Sequence, residues 1–282
     1  MQIMVDMLIP LMIILMMLVV GLELTFSDFR RVKQYPVVVL VGIVGQILLL
    51  PAIAIVIAWV LKPSPFIIAG MILVAACPGG AISNYYVYMA RANVALSVTL
   101  TAASTVMGFI TLPLLVSAGF WLLLRKGEHI DVPVTLMISQ LFLLLLLPVA
   151  AGMWIRHLWP QWVAKRVKLL RWFSILALGL IILFVIWNQA GNLLPHLKEL
   201  MLSVSIYTLL AMLAGWGASV GLKANSGDRF ALMVEYSVRN MGIVTVVGAT
   251  LLNNMAMLVF AAAFFLIQIP LLLIAVYVQR RY

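Results

Sequence analysis

Apolar residues run through this chain in long stretches, and the polar residues gather in short clusters between them. A helix crossing a hydrocarbon core needs roughly 20 apolar residues. Cutting the chain at its charges and its Pro and Gly clusters leaves nine segments of that kind, at 8–26, 37–61, 66–90, 94–122, 133–155, 172–190, 197–222, 229–252 and 255–278. The pattern predicts an all-α integral membrane protein with nine transmembrane helices. The first segment shares features with a secretory signal, but its apolar run is too long and no Lys or Arg precedes it, so it is read as a mature helix.

Nine spans force every connection onto one of two sides, and cytoplasmic connections carry an excess of Lys and Arg. One side collects Arg30, Arg31, Lys33, Arg91, Arg156, Lys165, Arg166, Lys168, Arg171, Lys223, Arg229, Arg280 and Arg281. The other holds only Lys62, Arg125, Lys126 and Lys198. The asymmetry puts the C-terminus in the cytoplasm and the N-terminus outside, with the cell's inner (plasma) membrane as the site. Adding or removing one span would scramble this separation.

Composition agrees with a lipid environment. Hydrophobic residues make up 66% of the 282 and charged ones 9%, with mean hydropathy +1.20. A soluble domain carries about 25% charged residues, so a water-soluble fold is excluded. The net charge of +10 does not indicate nucleic acid, because the bases are distributed between apolar runs instead of forming one solvated face. The single cysteine, Cys77, excludes an internal disulfide and a multi-Cys zinc site. His129, His157 and His196 lie far apart between the segments, so transition-metal ligand spacing is absent.

Beyond the opening residues of the spans, three charged residues remain inside them, where each is costly unless it is paired or faces a watery cavity. Glu23, in GLELTFSDF (21–29), is close enough to a span end to reach the interface. Glu235 and Arg239, in EYSVRNMG (235–242), are near the middle of the eighth span, where they could form a structural ion pair or a functional site. The third span carries CPGGAISN (77–84) at its centre. Pro78 removes a donor and clashes with the preceding turn, and Gly79 and Gly80 let the chain unwind. Broken backbone at membrane depth survives only where it lines a cavity or is buried in protein. The polar run 235–240 marks a second broken helix.

The first four and last four spans can be superposed so that one interrupted helix falls on the other. The start-to-start offset is five spans, which inverts the second copy, an arrangement that secondary transporters use to build a midplane site. Neighbouring spans add Gln46, Ser97 and Thr101. The last two are four residues apart and share a helical face. Alone, such hydroxyls pack helices or bond back to their own backbone. Together with Ser83, Asn84 and Glu235 they form an all-oxygen set suited to a hard monovalent cation.

These motifs resemble the bile acid:sodium symporter family in its bacterial branch, through GLELTFSDF (21–29), GQILLLP (45–51), CPGGAISN (77–84), ARANVALSVTLTAAST (90–105) and EYSVRNMG (235–242). The resemblance implies a panel domain, 8–26 with 133–190, and a core domain, 37–122 with 197–278, containing broken helices 66–90 and 229–252 that cross. Bacterial relatives commonly have ten helices, and this chain would be a nine-helix form lacking the first. The family's first sodium site falls on Ser83, Asn84, Ser97, Thr101 and Glu235. Its second would use Gln46, Glu235, the carbonyls of Tyr236 and Val238, and a glutamine at the position held by Arg239. Arginine is permanently charged and only donates, so it cannot ligate sodium. One reading has Arg239 as a tethered cation that pairs Glu235 and replaces the second ion; another has it binding the substrate carboxylate. Substrate contacts implied by the family lie around Gly80, Ala81, Ile82, Asn240 and Met241, with Ala81 where relatives often offer a threonine.

The expected function is a secondary transporter carrying an organic anion inward with at most one sodium, as a monomer in the bilayer without an organic cofactor. A sodium-independent or proton-coupled carrier is the alternative, since Glu235 could titrate. An integral-membrane enzyme would need a nucleophile, a metal or an acid/base pair, and no HExxH or paired aspartates occur.

Overall fold

The computed structural model describes residues 9–33, 36–124, 130 and 132–281, so Arg125, Lys126 and His129 lie outside the described residues, as does the first residue of the 8–26 segment. The described residues form helices α1 (Ile9–Glu23), α2 (Phe26–Arg30), α3 (Pro36–Leu61), α4 (Pro65–Ala76), α5 (Ile82–Met89), α6 (Val94–Leu123) and α7 (Val134–Leu141). They continue with α8 (Leu147–Leu158), α9 (Pro160–Asn188), α10 (Ala190–Leu193), α11 (Leu197–Gly221), α12 (Ser226–Ser237), α13 (Met241–Thr245) and α14 (Leu258–Gln279). Two π-turns, Phe142–Leu146 and Val246–Leu251, extend α7 into α8 and prolong α13. Among the described residues no strand forms, and the β-type pairing is one isolated bridge.

Among the described residues six spans are long and apolar enough to cross a membrane, namely α3, α6, α7 joined to α8, α9, α11 and α14, or seven if α1 and α2 count as one span bent by 65°. The fold is therefore that of a multi-pass membrane protein. Such helices need no amphipathic face, because lipid solvates their outer sides, and exposed Leu, Val and Trp side chains cover them. The two interrupted pairs, α4/α5 and α12/α13, fail the length test because each is broken within the range expected from sequence.

Two boundaries differ from the sequence expectation. The stretch 156–171, expected as a basic loop before a helix at 172–190, is almost entirely helical: α9 starts at Pro160, after a single non-helical residue, Trp159. Proline suits the first helical turn, and the alternation of Lys, Arg and Leu that lowers hydropathy also favours helix. The first segment ends at Glu23 rather than 26, because Thr25 caps a new helix in a new direction, its backbone N–H and hydroxyl both donating to Asp28 at 2.7 Å.

Several turns stop where a basic residue takes positive φ, namely Lys62, Arg91 and Lys223. This left-handed closure satisfies the last helical carbonyls and sets a cation at the negative helix end. At the other ends, Asn93 caps α6 by accepting from Leu96 N at 3.0 Å, and Asn225 caps α12 by accepting from Asp228 N at 2.9 Å. The Asn93 amide also donates to Asp228 at 2.7 Å, tying the two helix starts together. Ser64, before α4, donates from its N–H and its hydroxyl to Glu199 in α11.

Helix α1 packs on α8 and α9, while α3, α4, α6, α11, α12 and α14 pack on one another. A long helix, a broken pair and a second long helix occur in succession twice, as α3–α6 and as α11–α14.

Candidate functional site: a double helix break around Glu235 and Arg239

Helix α4 ends at Ala76, Cys77 turns to extended backbone, and α5 begins only at Ile82. In the same way α12 ends at Ser237, Val238 is extended, and Asn240 caps α13 with its side chain accepting from Ile243 N at 3.3 Å. Buried backbone groups freed by such breaks need partners, and here each break supplies the other. Gly79 and Arg239 form an antiparallel bridge, and Asn240 N donates to the Pro78 carbonyl at 3.0 Å. The two broken stretches thus run in opposite directions where they cross. A Cβ on Gly80 would lie 2.7 Å from the Arg239 carbonyl oxygen, so this approach of two backbones requires glycine.

Beside the crossing, Glu235 is fully buried. Its Oε1 accepts from the hydroxyls of Ser83, of Ser97 at 2.6 Å and of Thr101 at 3.0 Å, and Thr101 also reaches Oε2 at 3.1 Å. Ser97 Oγ is at the same time 2.8 Å from Asn84 Oδ1. The structure therefore gathers all five of the oxygen-bearing residues picked out along the sequence, from α5, α6 and α12. Hydroxyls donating to a carboxylate keep their lone pairs. Three hydroxyls, an amide oxygen and a carboxylate make an oxygen-only shell of the type hard cations take. The single Ser97 proton cannot satisfy both Asn84 and Glu235 fully, and a cation would relieve that surplus of acceptors.

Arg239, 2% exposed, sits behind this cluster. Its Nη1 donates to Gln46 Oε1 and to the Cys77 carbonyl, each at 3.1 Å, and its Nη2 to the carbonyls of Glu235 at 2.5 Å and Tyr236 at 2.9 Å. The expectation that Arg239 pairs the Glu235 carboxylate is corrected here. Among the described residues the ion pairs are Arg31–Asp28 and Arg171–Glu23, and the guanidinium instead takes the backbone oxygen of Glu235. The short reach back along its own helix end, three and four residues, favours the carbonyls freed there. Of the expected second set, the Gln46 side chain and the Tyr236 carbonyl accept from the guanidinium, and the carbonyls of Cys77 and Glu235 do so as well. The guanidinium therefore sits among four oxygens, one from a side chain and three from the backbone.

Of the expected substrate contacts, Gly80 is spent on the crossing, Ala81 starts α5 without a side-chain cap, and Met241 lines a gap of about 10 Å³ between α9, α13 and α14. Asn240 Nδ2 also faces Met17 Sδ at 3.9 Å. A second cavity, of about 20 Å³, is lined by Gln46, Cys77, Ser104 and Arg239. Ser104 was missed in the sequence: its Oγ accepts from Gly79 N at 3.2 Å and donates to the Thr101 carbonyl at 3.1 Å. The spacing Ser97, Thr101, Ser104 on one helical face was the available clue. Glu23, read as reaching the interface, is held by Arg171 of α9 at 2.5 Å.

Residues 10–197 match the profile of the Sodium Bile acid symporter family. The chain is similar to the uncharacterized sodium-dependent transporter YocS of Bacillus subtilis, 29% identical over 79% of this chain and 68% of that one. It is also similar to the probable sodium/metabolite cotransporters BASS2 of Oryza sativa, 31% identical over 72% of this chain and 47% of the relative, and BASS1 of Arabidopsis thaliana, 30% over 81% and 56%. The chain thus spans about half the length of these plant relatives.

Proposed function

The chain belongs to the sodium bile acid symporter family, and on that premise we propose that it carries a small organic anion, a carboxylate in the simplest case, together with one sodium ion by alternating access. The observation that carries this reading is the buried five-oxygen set around Glu235. Sodium is co-substrate here, held by Ser83, Asn84, Ser97, Thr101 and Glu235. The second cation of the crossing is Arg239 itself, fixed by Gln46 and three carbonyls, so a second sodium would meet a fixed positive charge at that place.

Charge then couples ion to substrate. Glu235 and Arg239 together sum to zero, and the arriving sodium leaves one net positive charge in a low-dielectric site, where an anion is drawn in strongly. The anion would sit at the starts of α5 and α13, near Gly80, Ala81, Ile82, Asn240 and Met241, at the positive ends of those helices. The loss of a hydroxyl at Ala81 leaves the recognition there to the backbone.

Nine spans, with the N-terminus outside and the C-terminus in the cytoplasm, form the working unit, a monomer in the cell's inner membrane. Helices α1 and α7–α9 act as the panel, and α3–α6 with α11–α14 as the core. The gap between α9, α13 and α14 is too small for a metabolite, so transport requires the panel to swing away from the core on each side in turn. Uptake of radiolabelled carboxylates into proteoliposomes, with and without an inward sodium gradient, tests the reading. Accumulation only with sodium supports it, while equal uptake in potassium or in a pH gradient alone overturns it.

A further inference from the structure

The basic stretch that turns out to be helix faces outward in an ordered way. Along α9 the exposed arc begins with Trp162, Lys165, Arg166 and Lys168, while the opposite side is buried through Val163, Ile181, Ile182 and Val185. From Leu169 onward the same arc is apolar: Trp172, Leu176, Leu180 and Leu183 are all exposed, ending in Trp187 at 85% exposure. At 1.5 Å per residue, the stretch 169–188 covers about 30 Å, the thickness of a hydrocarbon core. The bases from Lys165 to Lys168 occupy about 4.5 Å more, which lies within a headgroup layer.

The charge on this arc is left unmatched. No acid occurs between Asp131 and Glu199, and the one that reaches α9, Glu23, is taken by Arg171. Among the described residues, Lys165, Arg166 and Lys168 enter no ion pair. Arg166 lies over the Trp162 ring at 4.9 Å, which fixes its guanidinium while leaving its edge N–H groups free.

We propose that the exposed arc of α9 is a binding site for an anionic phospholipid, its phosphate held at Lys165 with Lys168 and Arg166 flanking it on either side, and its acyl chains lying along Trp172, Leu176 and Leu180. A ligand matching this arc needs an anionic head joined to an apolar body of membrane length, which excludes a soluble acidic peptide or nucleic acid. Three bases, each worth roughly a fivefold change in affinity near an anionic surface, make an effect on the order of a hundredfold.

The test is a lipid titration of the purified full-length protein in non-ionic detergent, with retained lipid read by native mass spectrometry. Phosphatidylglycerol and phosphatidylcholine with identical chains are compared for the wild type, for Lys165→Gln/Arg166→Gln/Lys168→Gln, and for Arg280→Gln/Arg281→Gln as a control for lost charge. Expected is retention of phosphatidylglycerol by the wild type and the control, about a hundredfold weaker in the triple variant. The single variants Lys165→Gln and Lys168→Gln should each lose about fivefold, so a misfolded triple variant does not decide the matter. Equal retention of the two lipids by the wild type, unchanged retention in the triple variant, or displacement of the lipid by equimolar glycerol phosphate would overturn the site. The transport reading is unaffected by any of these results.

Discussion

Replacing Arg239 separates two roles that the guanidinium combines, bonding the crossing and supplying its positive charge. In Arg239→Met the side chain keeps its bulk but donates nothing, leaving the carbonyls of Cys77, Glu235 and Tyr236 without the partner seen at 2.5 to 3.1 Å. Each buried acceptor left unpaired costs about 1–3 kcal/mol, so three of them cost about 3–9 kcal/mol, comparable to a domain's whole stability of roughly 5–15 kcal/mol. In Arg239→Gln a side-chain oxygen joins those carbonyls, and the emptied volume and missing charge suit a sodium ion. Above its dissociation constant each bound ion adds about 1.4 kcal/mol of stability per tenfold rise in concentration. The wild type should follow that slope, and Arg239→Gln should approach about 2.8 kcal/mol per tenfold, being destabilised in potassium and recovering in sodium. The assay is equilibrium unfolding of the purified protein in detergent across a sodium series, with potassium holding ionic strength constant. A wild-type slope already at the two-ion value, or an Arg239→Gln slope equal to the wild type's, would refute the idea that arginine stands in for an ion. So would an Arg239→Met protein as stable as the wild type.

Other consequences are more local. Thr101→Val keeps the shape but removes the hydroxyl bonded to both Glu235 oxygens, so the sodium concentration giving half-maximal uptake should rise about tenfold, as expected for a loss of 1–2 kcal/mol. Gly79→Ala places a Cβ 2.8 Å from Glu235 Oε2; displacing the carboxylate from its hydroxyls should lower stability in potassium by about 1–3 kcal/mol and weaken the sodium-dependent stabilisation as well. Tyr236→Phe loses the bond to the Val41 carbonyl at 3.0 Å, and unfolding should become easier by about 1 kcal/mol. Glu23→Gln breaks the pair with Arg171, whose side chain is 44% exposed; solvent screening holds the expected loss of stability to under about 1 kcal/mol.

Much of the site was legible in the sequence because membrane depth makes polar residues expensive. Pro78-Gly79-Gly80 and the run from Glu235 to Asn240 could be recognised as breaks from composition alone, and the structure has a break at each. Hydroxyls at Ser97 and Thr101 could be read as one face because helical periodicity is fixed, which also explains why Ser104, one turn on, was within reach. The partners of Arg239 were not legible in the same way. Side-chain identity suggests a pair with the Glu235 carboxylate, but the freed carbonyls at the ends of α4 and α12 compete for the guanidinium, and backbone oxygens leave no trace in a sequence. The start of α9 was hidden for a different reason. Hydropathy registers Lys165, Arg166, Lys168 and Arg171 as an interruption, although the backbone remains helical through them and only the environment around it changes. The bend after Glu23 depends on the pairing of Thr25 with Asp28, a short-range motif embedded in an apolar run.

If Arg239 occupies the place of a second sodium, one ion moves with each substrate anion. Simultaneous flux of radioactive sodium and of a labelled carboxylate in proteoliposomes, at saturating concentrations of both, measures the ratio directly. One sodium per carboxylate is expected in the wild type; a ratio of two would contradict the replacement of the second ion by arginine.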